Sequence, residues 1–254
     1  MTTTDRFLGL LQLFTVERPT WSVEEAAKAI KTPTSTTYRY FKSLTRSGLL
    51  GTFGDGRYLL GPAIIRYDRQ LRLTDPLVLA ARHQMDLIAE SVAGHGVVFL
   101  CRLFDDQVMC VSQASVGDHP FAISYERGRP MPLVAGSASR VILAYLPERK
   151  IKSLHRQHSE QFKRYKIGAS WPEVREELDS VRKKGGFTTV GEIDPGMRGI
   201  SVPILLAESV IGSLNVAGPR QGFSNSEIHE VLEKLAQAAA KIAQELYRAT
   251  LLQS

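Results

Sequence analysis

The residues best equipped for chemistry lie on one predicted helix, which starts at Thr34 or Ser35 and ends at Gly48. Ser35, Tyr38, Arg39, Lys42 and Arg46 share one side, with Thr36 beside them: hydroxyls in the first turn, cations behind. Thr37, Phe41 and Leu44 recur at i, i+4 and i+7 on the opposite side. A helix that enters a major groove needs such a face, with donors and acceptors for base edges and cations for flanking phosphates. The same pattern also suits a surface αα-hairpin with a solvated charged side.

A second set of small and polar residues falls at turns and strand ends. Leu133–Arg140 (LVAGSASR) reads as a small-residue turn opening a helix, where free amides can hold an anion. Glu192–Gly199 is a turn between two strands, and Ser213, Asn215 and Ala217 alternate so that all three face one side of a sheet. Together they would line a small pocket with a few polar groups; taken singly, each is also ordinary turn chemistry. Catalytic patterns are missing: no metal-binding His-Glu-x-x-His, nucleophile elbow, P-loop or dinucleotide fingerprint occurs. His155 and His158 are spaced i, i+3 in a basic, solvated stretch that favours surface histidines over a metal pair. Cys101 and Cys110 are too few for a disulfide framework and read as small core residues on neighbouring strands.

The elements that must position these residues are legible from caps and periodicity. Asp5–Phe14 reads as a first helix. Ser22 and Glu25 form a capping box for a second, which Lys31-Thr32-Pro33 breaks. After the third helix, Leu49-Leu50 and Tyr58-Leu59-Leu60 flank Asp55-Gly56, a hairpin turn. Helix-turn-helix plus hairpin is a winged helix, with Arg57 on the wing expected to reach a phosphate or the minor groove. Ala63–Leu73 reads as helical, with Ile64, Ile65 and Leu71 inward, and Asp75-Pro76 starts a helix to Val92. From Val97 the period changes to strands at Val97–Leu103, Val108–Ala114 and Phe121–Tyr125. A proline-stiffened segment then leads to a helix from Ser137 to Leu146, with helices at Glu148–Gln157 and Trp171–Lys184. Strands at Phe187–Val190, Gly199–Leu206 and Val210–Ala217 precede a long helix capped by Ser224 and Glu227. The expected class is α+β: a winged helix-turn-helix over 1–61, linker helices over 62–93, and an antiparallel sheet domain with flanking helices over 94–254.

Composition narrows the class further. A chain of 254 residues has room for two domains. It shows neither a membrane-length apolar run nor a signal-peptide pattern at its start, which argues for the cytoplasm and no membrane partner. The net charge is +6, of which Met1–Arg72 carries +5. That asymmetry points to a polyanion partner for the N-terminal part alone.

In this order and spacing, several short motifs resemble the IclR family of transcriptional regulators. They are Trp21-Ser22-Val23-Glu24-Glu25-Ala26, Ser35–Arg39, Gly48-Leu49-Leu50, Tyr58 with Leu60-Gly61, Asp75-Pro76-Leu77, Pro132-Leu133, Gly191-Glu192 with Gly196, and Val216–Pro219. The resemblance covers nearly the whole chain and implies a GAF-like effector-binding domain behind the winged helix, with no cofactor and no catalysis. It implies an operator-DNA-binding repressor or activator that forms a homodimer or a dimer of dimers. By similarity, the effector positions are Met131, Ser137, Ala138, Thr189, Gly199, Asn215 and Ala217, with Phe121 expected as a further apolar wall. Arg140 stands where the family usually carries Lys. Amides plus apolar walls suit a small organic acid, aromatic ones included, better than a sugar. Two rivals stay open: a ligand-independent DNA binder, and an enzyme fused to a DNA-binding domain.

Overall fold

The computed structural model describes residues 2–119 and 121–251. The chain divides into two compact units, one ending at Thr74 and one beginning at Asp75, so the expected linker stretch 62–93 is split between them.

In the first unit, α1 (Thr3–Gly9) starts at a capping box in which Asp5 N–H donates to Thr2 Oγ1 and Thr2 N–H donates to Asp5 Oδ2. The expected single helix Asp5–Phe14 is shorter: beyond Gly9 it tightens into a 3₁₀ turn, Leu10–Leu13. Helix α2 (Val23–Ala29) carries the Ser22–Glu25 capping box, and α3 (Thr34–Arg46) begins after Pro33. Strands β1 (Leu50–Phe53) and β2 (Arg57–Leu60) form the wing, and Trp21 joins it by exchanging both backbone hydrogen bonds with Tyr58. Phe41 is the hub. It is fully buried, its ring meets Tyr58 edge-on at 4.7 Å and Phe14 at 6.5 Å, and so it ties α3 to the wing and the first turn. Helix α4 (Ala63–Thr74) differs from expectation: only Ala63 is buried, while Ile64, Ile65 and Leu71 are exposed.

The second unit opens with α5 (Pro76–Ser91), where Asp75 Oδ1 accepts from the N–H groups of Leu77 and Val78. The remaining elements are β3 (Val97–Phe104), β4 (Gln107–Ala114), β5 (Pro130–Pro132), α6 (Ser137–Ala144), α7 (Glu148–Gln157), α8 (Ser159–Arg164), α9 (Trp171–Lys184), β6 (Phe187–Val190), β7 (Met197–Leu206), β8 (Ser209–Pro219) and α10 (Asn225–Leu251). The strands make one antiparallel sheet in the order β5-β4-β3-β8-β7-β6. Alternation sorts its residues between two cores. Val98, Leu100, Ile200, Val202, Leu214 and Val216 face α5 and α10, while Val97, Phe99 and Cys101 face the layer of α6 to α9.

Two local readings fail here. Phe121–Tyr125 is no strand: Ser124 N–H donates to Asp194 Oδ2 at 2.8 Å instead of to a ladder, and Phe121 stacks on His119 at 5.0 Å. The stretch read as solvated contains α8, whose Phe162 is fully buried and packs edge-on against His155. Cys101 and Cys110 are register partners on β3 and β4, buried and free, as expected of small core residues.

Replacing Phe41 by Ala is expected to destabilise the first unit by about 3–5 kcal/mol. Urea denaturation followed through Trp21, with Trp171 changed to Phe, should show the loss, and Trp171 in the converse variant should report an unchanged second unit.

Candidate functional site

In the first unit, α3 segregates its faces as the spacing requires. Thr37, Phe41 and Leu44 are buried, while Ser35, Tyr38, Arg39, Lys42 and Arg46 are exposed and Thr36 is half-buried. Pro33 supplies no side-chain cap, so helix geometry leaves the first amides of α3 without acceptors. The basic face and these amides point the same way chemically, toward an anion.

Arg57 does not stand free on the wing. Its Nε donates to Thr20 Oγ1 at 3.0 Å, and Nη2 reaches Thr20 O at 3.0 Å and Glu25 Oε2 at 3.1 Å. Glu25 also pairs with Arg18 at 3.1 Å, and the Arg18 guanidinium lies 3.4 Å from the Trp21 ring centroid. The cation expected at a phosphate thus anchors the wing to α2. Glu25 carries three tasks at once: the Ser22 N–H bond, then Arg57 and Arg18, hold its carboxyl below the usual range.

In the second unit, α6 begins above the face of β7 and β8 that carries the candidate pocket. Gly136 precedes it at φ +84°, a left-handed conformation, and an added Cβ would stand 3.1 Å from Ile193 Cγ1. Ser201 Oγ donates to Ser137 Oγ at 2.7 Å, both side chains buried. A Cβ at Gly199 would come within 2.5 Å of Ser137 Oγ and 3.2 Å of Thr189 Oγ1, so only Gly lets these hydroxyls close in. Ser137, Ala138, Thr189, Gly199, Asn215 and Ala217 line one cavity of about 40 Å³.

Two expected wall residues do not line it. Met131 is buried in the core as the register partner of Val108, because the alternation of β5 turns it into the sheet's own packing. Phe121 sits on the irregular segment, stacked on His119. Phe99, Ile123, Tyr125 and Ile193 supply apolar walls instead, and Glu192, Asp194 and Arg198 add charge. Arg198 and Glu192 belong to the turn that the sequence singles out, whereas Tyr125 belongs to a segment whose strand-like composition gives no sign of a pocket wall.

The charges are partly committed. Glu192 Oε2 accepts from Gly136 N–H at 2.9 Å, occupying one amide at the start of α6. Arg140 is buried: Nη1 donates to Glu177 Oε1 at 2.6 Å, Nη2 to Tyr165 O at 2.6 Å, and Glu192 Oε1 lies 3.8 Å away. Burial pulls the Arg140 pKa below its ordinary value, opposed by Glu192 and Glu177. Three polar atoms of the lining residues are buried without a partner in hydrogen-bond geometry: Tyr125 Oη, beside the Ser139 hydroxyl, Arg198 Nε and Asn215 Oδ1. Burial pushes the Tyr125 phenol well above its ordinary pKa, so it stays an O–H group. Orphaned atoms of this kind around a cavity mark a place for a ligand or ordered water. Among the described residues no cluster of three or more His, Cys, Asp or Glu could hold a metal, and no helix is long and apolar enough to cross a membrane.

A winged helix with a basic exposed face, and a separate sheet unit enclosing a small cavity, are the parts of a DNA-binding transcriptional regulator. Residues 74–244 match the family model for the C-terminal part of the bacterial transcriptional regulator IclR, and residues 3–52 match the IclR helix-turn-helix domain. The chain belongs to the IclR family. It is 25% identical to the HTH-type transcriptional regulator KipR of Bacillus subtilis over 94% of both chains. Its fold is similar to that of an IclR transcriptional regulator from Alicyclobacillus acidocaldarius, with a TM-score of 0.79 at 24% identity over 96% of this chain and 98% of that one. It is also similar to an IclR homologue from Microbacterium hydrocarbonoxydans complexed with 4-hydroxybenzoate, with a TM-score of 0.73 at 21% identity over 97% and 100%.

Because the folded state holds the Glu25 carboxyl below its ordinary value of 4.5, its stabilisation is complete above that pH and is lost as pH falls through the lower folded value. The urea midpoint reported by Trp21 should therefore be level near neutrality and fall below about pH 4.5. Glu25→Gln should lower the neutral midpoint and flatten that fall, with Asp5 and Glu24, also held low, supplying the remainder.

Proposed function

We propose that α3 reads operator DNA in the major groove through Ser35, Thr36, Tyr38, Arg39, Lys42 and Arg46. We further propose that a small organic acid in the second unit's cavity controls that binding. The observation that carries the second half is the cavity itself, whose lining joins apolar walls and the first turn of α6 to Tyr125, Arg198 and Asn215, each with a buried polar atom that lacks a partner. The Microbacterium homologue's complex with 4-hydroxybenzoate supports the ligand class. At about 40 Å³ the cavity as it stands has room for about one water molecule, so even a short aliphatic acid needs the rim to yield a little. An aromatic ring needs more room, of the order of the ~150 Å³ that holds benzene, so it enters only if the rim at Ile123, Tyr125 and Ile193 moves outward. The acid acts by shifting the population of operator-binding states and undergoes no reaction.

One α3 spans too few base pairs to select an operator in a genome, so a symmetric homodimer or dimer of dimers on a pseudo-palindrome is the working species. The exposed apolar residues of α4, Ile64, Ile65 and Leu71, support its dimer contacts, whereas Leu77 is buried in the second core. Sedimentation at micromolar concentration should give a dimer or larger. A monomer that binds operator as a monomer contradicts the reading.

The central test is titration of a labelled fragment of the neighbouring intergenic DNA, with and without a panel of aliphatic and aromatic acids. Arg39→Ala should lose about 1–3 kcal/mol of operator affinity and relax one position. Lys42→Ala should weaken all sequences together and flatten the salt slope. The active acid should change affinity roughly 5–150-fold, and Ala138→Leu, which fills the cavity, should abolish that response while sparing DNA binding. If no acid changes operator affinity, the ligand-independent reading is the correct one.

A further inference from the structure

The cavity's hydrogen-bonding groups are unequal in kind, and the inequality falls on Asn215. Its side-chain nitrogen donates to Phe99 O at 2.9 Å and to Ser213 O at 3.0 Å, so both amide hydrogens are committed to backbone carbonyls. The side-chain oxygen is buried with no partner, on a residue only 4% exposed. Turning the amide over would set that oxygen against two carbonyl oxygens, so the network fixes the orientation. Asn215 therefore presents an acceptor and nothing else.

The other unsatisfied groups are donors or can donate. Arg198 Nε–H is orphaned, the Tyr125 hydroxyl has only the Ser139 hydroxyl beside it, and helix geometry leaves the amides of Ser137 and Ala138 without acceptors inside α6. The two carboxylates on the wall already hold backbone N–H groups, Glu192 at Gly136 and Asp194 at Ser124. The donors are of the kind a carboxylate needs, and Oδ1, the one buried orphan of the lining residues that can only accept, calls for a donor from the ligand.

Resting on the reading of this cavity as an effector site, we propose that it selects for a hydroxy acid, whose hydroxyl donates to Asn215 Oδ1 while its carboxylate takes the donors near α6. An oxo acid would bring a carbonyl oxygen against Oδ1, and a deoxy acid would leave Oδ1 buried and empty; both lose relative to the hydroxy acid. An ammonium would draw on the unused lone pairs of Glu192 and Asp194, so an amino acid is the control that separates a carboxylate-led site from a hydroxyl-led one.

The test uses matched probes on the full chain, read by calorimetry and thermal shift: glycolate against acetate, lactate against pyruvate, 4-hydroxybenzoate against benzoate, with alanine as the amino counterpart of lactate. In the best-binding pair the hydroxy acid should bind roughly tenfold or more tightly than its partner. Asn215→Leu should bring the ratio close to one, and Asn215→Ser, whose hydroxyl can either donate or accept, should shrink it while keeping the polar contact. The serine variant decides the matter if the leucine variant fails to fold. Equal binding of both members in the unaltered protein, a preference for alanine, or a ratio that survives both substitutions overturns the proposal while leaving the effector site standing. Failure of every acid to bind overturns the effector site and this proposal together.

Discussion

The second unit depends on the two-residue period of β8 held between β3 and β7. Because Asn215 is the register partner of both Phe99 and Ser201, the alternation sends residues 213, 215 and 217 toward one helical layer and Leu214 and Val216 toward the other. A slip of one residue would exchange the two sets, placing Asn215 in the apolar core under α5 and α10 and emptying the cavity of its polar groups. Long pairing along β7 makes such a slip costly, since every apolar residue of two strands would change sides together. The site is thus secured by the whole sheet, and few of its residues need local reinforcement.

Carboxylates are the local reinforcement that does occur. Glu192 and Asp194 hold backbone N–H groups on either side of the cavity, while Glu25, Glu173 and Glu227 do the same at helix starts. An ionised oxygen on a backbone amide makes a strong, short-range bond and complements the positive end of a helix. At the cavity this has a chemical effect as well. With one amide at the start of α6 taken by Glu192, an incoming acid meets fewer donors than a bare helix end would offer, and the remaining ones gain weight in deciding what fits. The buried Arg140, braced by Glu177 and Tyr165 with Glu192 nearby, keeps that corner from carrying unbalanced negative charge.

Elements governed by neighbours in sequence were legible; those governed by distant partners were not. The capping boxes at Ser22 and Ser224, the faces of α3, α9 and α10, and the strands around Asn215 follow from local spacing, and the structure places them accordingly. The residues of Phe121–Tyr125 have strand-like character, but Asp194 captures the Ser124 amide from far along the chain, and no periodicity foretells that. Arg57 looked free because Thr20 and Glu25 reach it only after the wing has folded back on α2. Met131 and Tyr125 exchanged expected roles for the same reason. Which of two apolar residues walls a cavity is decided by strand register, and Met131 lies in the ladder while Tyr125 lies off it.

Strand β5 has a consequence for how the protein coexists with others in a crowded cell. It is the outermost strand on its side of the sheet, and it pairs inward through Met131 while Pro130 and Pro132 flank that residue. Residues one step from a paired position direct their backbone groups away from the partner strand, and proline has no N–H to offer there. The Pro132 carbonyl is itself engaged by Ser139 Oγ and Ala135 N–H. A foreign β-segment approaching along this border would meet two missing N–H groups and an engaged carbonyl, so strand addition is disfavoured on that flank.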